Sequence, residues 1–138
     1  MRERSGRYSG EMCFACGINN PIGLKLKFRE EEDTYITNFT AGTEHQSYDG
    51  IVHGGIISTL LDEVMTGYIY AKGYNAVTAR LDVRFRKPTP IGEPLKITGK
   101  MIGQRGNMIE LSGTIELADG TITAQGKATV AVLEELEQ

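Results

Sequence analysis

A histidine, a glycine pair and a carboxylate stand in an order that chemistry can use: His53-Gly54-Gly55-Ile56-Ile57-Ser58-Thr59-Leu60-Leu61-Asp62. The glycines carry no side chain, so another molecule can approach the backbone there. An apolar helical pattern begins at the same point, and the free N–H groups and dipole of a helix start favour developing negative charge. Asp62 follows about two turns on. A carboxylate in that position is a general base for water or a nucleophile in its own right. Spacing alone does not single it out. Asp62 lies near one edge of the apolar helical arc and Glu63 near the other, and each reads equally well as a surface acid beside a buried face. His53 also has two readings. It can do acid–base work near neutral pH, or it can brace the glycine turn or touch substrate, which we favour.

Three other groups invite chemistry. Cys13-Phe14-Ala15-Cys16-Gly17 carries one C-x-x-C, half of a zinc site or a redox pair. A four-ligand zinc site within one chain would call on both histidines, His45 and His53, which are not spaced as in a zinc finger. A thioredoxin-like pair belongs at a strand-to-helix junction, whereas Asn19-Asn20-Pro21 signals a turn. We therefore expect reduced, structural thiols and no metal, with a zinc shared between subunits as the alternative. Arg84, Arg86 and Lys87 gather before Pro88 and suit phosphates, or they form a solvated strand face. Met65, Met101 and Met108 either line an adaptable apolar pocket or pack the core. No G-x-S-x-G elbow is present, which disfavours a Ser/His/Asp hydrolase.

These residues need a scaffold, and 138 residues suffice for a single domain, 1–138, with a real core. Residues 1–12 are a candidate flexible N-terminus and 134–138 a frayed tail. A hydrophobic share of 40% and a charged share of 24% are ordinary for a globular chain. The net charge of −3 argues against nucleic acid and anionic membrane as partners. No apolar run approaches the ~18–20 residues of a membrane helix. The start, Met1 to Tyr8, has charge but no apolar core of a secretory signal, so we expect a cytoplasmic protein.

Alternation of Leu24, Leu26 and Phe28 with Lys25, Lys27 and Arg29 predicts a first half-buried strand, and Glu30 to Asp33 a solvated turn. Thr34 to Ala41 predicts a second strand, and Gly42 to Asp49 a loop. The helix is expected from Gly54 to about Lys72, with Ile56, Ile57, Leu60, Leu61, Val64 and Tyr68 on one broad arc widened by Met65 and Ile69. Gly73 is its stop. Val77, Ala79, Leu81, Val83 and Phe85 predict the inward face of a third strand that ends at Pro88. Strands over Leu95 to Ile102, Met108 to Leu117 and Thr121 to Leu133 follow, the last two joined at Ala118-Asp119-Gly120. The fold class is α+β, an antiparallel sheet wrapped around one long central helix. A second apolar flank of the helix, and any open sheet edge, would invite a second copy of the chain.

The run His53-Gly54-Gly55-x4-Leu60-x-Asp62, with Cys13-Phe14-Ala15-Cys16-Gly17 and Asn20-Pro21-x-Gly23-Leu24 upstream, resembles the hotdog-fold acyl-CoA thioesterases of the PaaI-like (phenylacetate-type) family. The resemblance covers nearly the whole chain. It implies hydrolysis of an acyl-CoA to free acid and CoA, with no cofactor beyond the coenzyme A of the substrate. It implies that Asp62, eight residues after Gly54, is the catalytic nucleophile or base, and that the Gly54 N–H polarises the thioester carbonyl. It implies substrate contacts at His53 and Gly55. Thr78, on the polar alternation of the third strand, would hydrogen-bond the carboxylate or the attacking water; the plain alternative is a solvent-facing residue. Many relatives carry Asn six residues before the histidine. Ser47 stands there in this chain, beside Gln46, and either would take over the contact. Arg84, Arg86 and Lys87 would dock the phosphates of coenzyme A. The family builds its site between two subunits, so a homodimer or homotetramer is implied. A non-catalytic acyl-CoA sensor on the same fold is the alternative.

Overall fold

The helix expected from Gly54 forms over Gly54–Ala71 (α1) in the computed structural model, which describes residues 8–135. The expectations for residues 1–7 and 136–138 lie outside the described residues. Ile57, Leu60, Leu61, Val64, Met65, Tyr68 and Ile69 are all buried on α1, as the wide apolar arc requires. Lys72 closes the helix by donating its N–H to the last turn, and Gly73 takes a φ of +107°, which lets the chain reverse into the sheet.

Six strands surround this helix: β1 (Phe28–Glu31), β2 (Thr34–Thr40), β3 (Tyr74–Phe85), β4 (Pro94–Arg105), β5 (Met108–Leu117) and β6 (Ile122–Glu135). They form one antiparallel sheet in the order β1-β2-β4-β5-β6-β3. The strand that follows the helix thus returns to the far edge of the sheet. Its neighbour β6 covers one side of β3 only. The expected α+β arrangement, a sheet wrapped around one helix, is what forms.

A row of glycines brings helix and sheet together. Gly99, Gly113 and Gly126 pair across β4, β5 and β6. A Cβ at Gly99 would lie 2.5 Å from the Val64 carbonyl oxygen, and Cβ atoms at Gly113 and Gly126 would press on Leu61 and Met65. The sheet can curl against the helix backbone because these three positions carry nothing.

Several boundaries differ from the expected ones. Leu24 and Leu26 are buried and Lys25 and Lys27 exposed, as alternation predicts, but this stretch joins no ladder. Lys25 sits at φ +56°, which interrupts a strand, and the segment bonds instead to the cysteine turn, Leu24 N–H to the Phe14 carbonyl and Leu26 N–H to that of Ala15. The turn predicted at Glu30 to Asp33 is tighter: Glu30 and Glu31 belong to β1, and Glu32 and Asp33 alone reverse the chain, at φ +49° and +66°. Strand β4 runs on to Arg105 through a bulge at Met101/Gly103, and β6 runs past Leu133 to Glu135, paired with Tyr74. At the other end, the Tyr8 N–H donates to the Asn75 side chain, and the Tyr70 hydroxyl donates to the Tyr8 carbonyl.

Candidate active site

The glycine turn is held from behind. His53 is the N-cap of α1, extended at φ −61° and ψ 137°, and its Nδ1 accepts the Gly55 N–H at 2.8 Å. That bond consumes one of the helix's orphan donors. Its own N–H donates to the His45 carbonyl, and the His45 ring packs edge-on against Phe39 while its Nδ1 accepts the Gly42 N–H. His53 therefore acts here as a brace. Among the described residues, the Gly54 N–H, at the first helical position, has no acceptor. It is a free donor at the positive end of the helix dipole.

Gln46 and Ser47 belong to the loop that delivers this turn. Gln46 bridges to Val52, and its Oε1 accepts the Gly50 N–H at 3.1 Å. The Ser47 N–H and hydroxyl both point to the Ile51 carbonyl. Phe85, the last residue of β3, lies across the turn: a Cβ at Gly54 would sit 3.5 Å from its ring. Arg84, Arg86 and Lys87 are exposed on either side of Phe85 in the sequence, and Arg86 Nε donates to Gln125 Oε1 at 2.7 Å.

Asp62 sits two turns down α1, half-buried, in a hydroxyl cluster. The Thr78 hydroxyl donates to Asp62 Oδ1 at 2.6 Å, the Thr66 hydroxyl lies 3.2 Å from the same oxygen, and the two hydroxyls are 2.6 Å apart. Each hydroxyl has one proton, so the natural relay is Thr66 to Thr78 to the carboxylate. Oδ2 takes no bond among the described residues and is left for a water or a substrate. The placement of Thr78 corrects the expected alternation. A bulge between Thr78 and Arg80 switches the strand's faces, so Ala76 and Thr78 turn to the helix along with Leu81 and Val83, while Val77 and Ala79 are exposed. Thr66 was not among the residues singled out from the sequence. Its signal is the i, i+4 spacing from Asp62 on one helical face.

Glu63 has a different environment. It approaches the cysteine turn, with Cys13 Sγ 3.9 Å from Glu63 Oε1, and burial raises its carboxyl above the usual range. The cysteines are free thiols. Of the three methionines, Met65 is core, packed under the glycine row. Met101 borders a cavity of about 530 Å³ with Ile69, Lys72, Tyr74 and Ile109, at the C-terminal end of α1. Met108 is half-buried. Among the described residues, no helix is long and apolar enough to cross a membrane.

Comparison with known proteins follows the same lines. The family model described as Thioesterase superfamily matches residues 49–124, more than half of the chain and the whole path from glycine turn to β6. The chain is 29% identical over 92 residues to the mouse (Mus musculus) acyl-coenzyme A thioesterase THEM4, which covers 67% of this chain but only 40% of that protein's own length. A Streptococcus mutans UA159 protein solved bound to acetyl CoA superposes with a TM-score of 0.73 at 22% identity, covering 81% of this chain and 91% of that one. The PaaI protein of the E. coli phenylacetic acid degradation operon superposes with a TM-score of 0.72 at 18% identity, covering 82% and 83%. At these identities the two structures show the fold alone: the hotdog arrangement of one helix in a curled sheet.

Proposed function

The chain belongs to the thioesterase superfamily, and from that premise we propose that it hydrolyses the thioester of an acyl-CoA to the free acid and CoA. The observation that carries the reading is the setting of Asp62, a carboxylate with one oxygen held by Thr78 and the other open, on the same helix that begins with a glycine turn and a free N–H. In the reaction, the Gly54 N–H holds the thioester oxygen as it becomes an oxyanion. Asp62 takes a proton from the water that attacks the carbonyl carbon, the C–S bond breaks, and the thiolate of CoA receives a proton. Direct attack by Asp62 would instead give a mixed anhydride that water resolves. Oxygen-18 from labelled water found in Asp62 after one turnover identifies that route.

One protomer does not hold both halves of this site. Gly54 and Asp62 are eight residues apart on one helix, about 12 Å along its axis. A thioester carbonyl needs both groups within roughly 3 Å of its reacting atoms. The glycine turn of one copy therefore works with the carboxylate of another, as the family likeness implies. The open edge of β3 supports a homodimer: it is twelve residues long, carries Thr78, and leaves Val77 43% and Phe85 58% exposed. Arg84, Arg86 and Lys87, exposed at and just beyond the end of β3, would meet the phosphates of coenzyme A, and we assign His53 and Gly55 to shaping the turn.

Release of CoA from a panel of acyl-CoAs, followed with a thiol reagent, tests the reading. Asp62→Ala is expected to lose about 100-fold or more in kcat while folding normally. Tight acyl-CoA binding without release by the unmodified protein would make it a sensor instead.

A further inference from the structure

Glu63 is the half-buried acid that the hydrolytic reading does not use, and its neighbours are the two cysteines. One donor atom each from Cys13, Cys16 and Glu63 lies within 4.8 Å of the other two, and all three residues are half-buried. The turn that carries the thiols is tightly built. Cys16 N–H donates to Cys13 Sγ at 3.4 Å and Gly17 N–H to the Cys13 carbonyl at 2.8 Å. A Cβ at Gly17 would meet the Cys13 N at 2.4 Å. On the helix side, Gly67 makes room: a Cβ there would come within 3.0 Å of Glu63 Oε2.

We propose that Cys13, Cys16 and Glu63 are the ligands of a structural divalent-metal site of the zinc class, which clamps the N-terminal turn to α1. The dimensions fit. Tetrahedral zinc with bonds of about 2.3 Å to sulfur and 2.0–2.2 Å to oxygen has an S···O edge of about 3.5 Å, and the observed Cys13 Sγ to Glu63 Oε1 distance is 3.9 Å. That pair needs to close by a few tenths of an ångström, and the other edges, all within 4.8 Å, by at most about 1 Å. Two sulfurs select a soft, thiophilic cation over magnesium or calcium. The fourth position falls to a water or to the second carboxylate oxygen.

The electrostatics point the same way. Among the described residues, no Lys or Arg pairs with Glu63. A divalent cation would replace the two thiol protons and supply the missing positive charge. Looking only to histidine for the remaining ligands overlooks this arrangement, because the third donor comes from the helix fifty residues on.

Titrating the reduced, metal-free protein with cobalt(II), and measuring zinc in protein purified from zinc-supplemented cells, tests the site. We expect about one equivalent of metal per chain, and a sulfur-to-cobalt charge-transfer absorption whose intensity corresponds to two thiolates. Cys16→Ser is expected to halve that absorption, and Glu63→Gln to weaken cobalt binding about tenfold or more. Absence of the absorption in the reduced, unmodified protein overturns the site. Binding that Glu63→Gln leaves unchanged overturns the three-ligand assignment. If Cys16→Ser does not fold, the cobalt spectrum of the unmodified protein decides. None of these readouts depends on thioester hydrolysis.

Discussion

In the proposed reaction Asp62 works with only one oxygen committed. Thr78 holds Oδ1 at 2.6 Å and Thr66 backs Thr78, which fixes the carboxylate's rotation and leaves Oδ2 without a partner among the described residues. Thr78→Val keeps the shape and removes the donor. A hydrogen bond to a charged group contributes roughly 1.5–3 kcal/mol, so kcat should fall about 10- to 100-fold with KM changed little. Steady-state kinetics on a good acyl-CoA substrate measures this, and an unchanged kcat would remove Thr78 from the positioning of Asp62. The threonine was hard to place from sequence for a definite reason. Strict alternation put Val77 and Ala79 inside and Thr78 outside, and a single bulged residue reversed that assignment. Bulges leave no mark in a period-2 pattern until the faces downstream are known. The acids were separable only by family likeness, since Asp62 and Glu63 mark opposite margins of the same helix.

At the scale of elements, close approach of helix and sheet rests on the glycine row, and its members are not equivalent. A methyl at Gly113 or Gly126 meets side chains that can move, whereas at Gly99 it meets the Val64 carbonyl 2.5 Å away. Gly99→Ala is expected to destabilise by about 1–3 kcal/mol, more than Gly113→Ala; denaturant melts of the two variants compare them, and equal losses would contradict the ranking. At the far end of α1, Tyr68 is buried under Tyr35 and Phe28 in a stacked series, donates to Glu30 Oε2 at 2.5 Å, and lies beneath Lys72. Burial, then the bond to Glu30, pushes its phenol from 10.0 up to about 12. A raised phenol stabilises the fold fully below pH 10 and loses that contribution as pH rises toward 12. Thermal midpoints of the unmodified protein should therefore fall faster between pH 10 and 12 than those of Tyr68→Phe; parallel curves would discount Tyr68. The helix and five of the strand positions were readable from periodicity, because burial on one face dictates it. The Leu24–Leu26 stretch alternates equally well, yet its hydrogen bonds go to the cysteine turn, a partner that periodicity does not name.

At the scale of the whole molecule, the distance along α1 makes a functional claim about assembly. If one copy contributes the Gly54 N–H and the other the Asp62 carboxylate, two inactive variants should repair each other. Gly54→Pro is suited to the first half. Gly54 is the first residue of α1, where proline is tolerated because that N–H makes no helical bond, and His53 before it is already extended. The substitution thus deletes the proposed oxyanion donor and keeps the helix, and it should cost about 10²–10³ in kcat. Asp62→Ala supplies the second half. A mixed dimer then has one site with both defects and one with neither. With random exchange, half of the dimers are mixed, so an equimolar mixture should recover about a quarter of the unmodified activity per chain. Subunit exchange is verified separately with differently tagged copies. A mixture that exchanges and stays as inactive as its parents would place the glycine turn and the carboxylate in the same protomer's site, and the 12 Å separation along the helix would then need a rearrangement to bridge it.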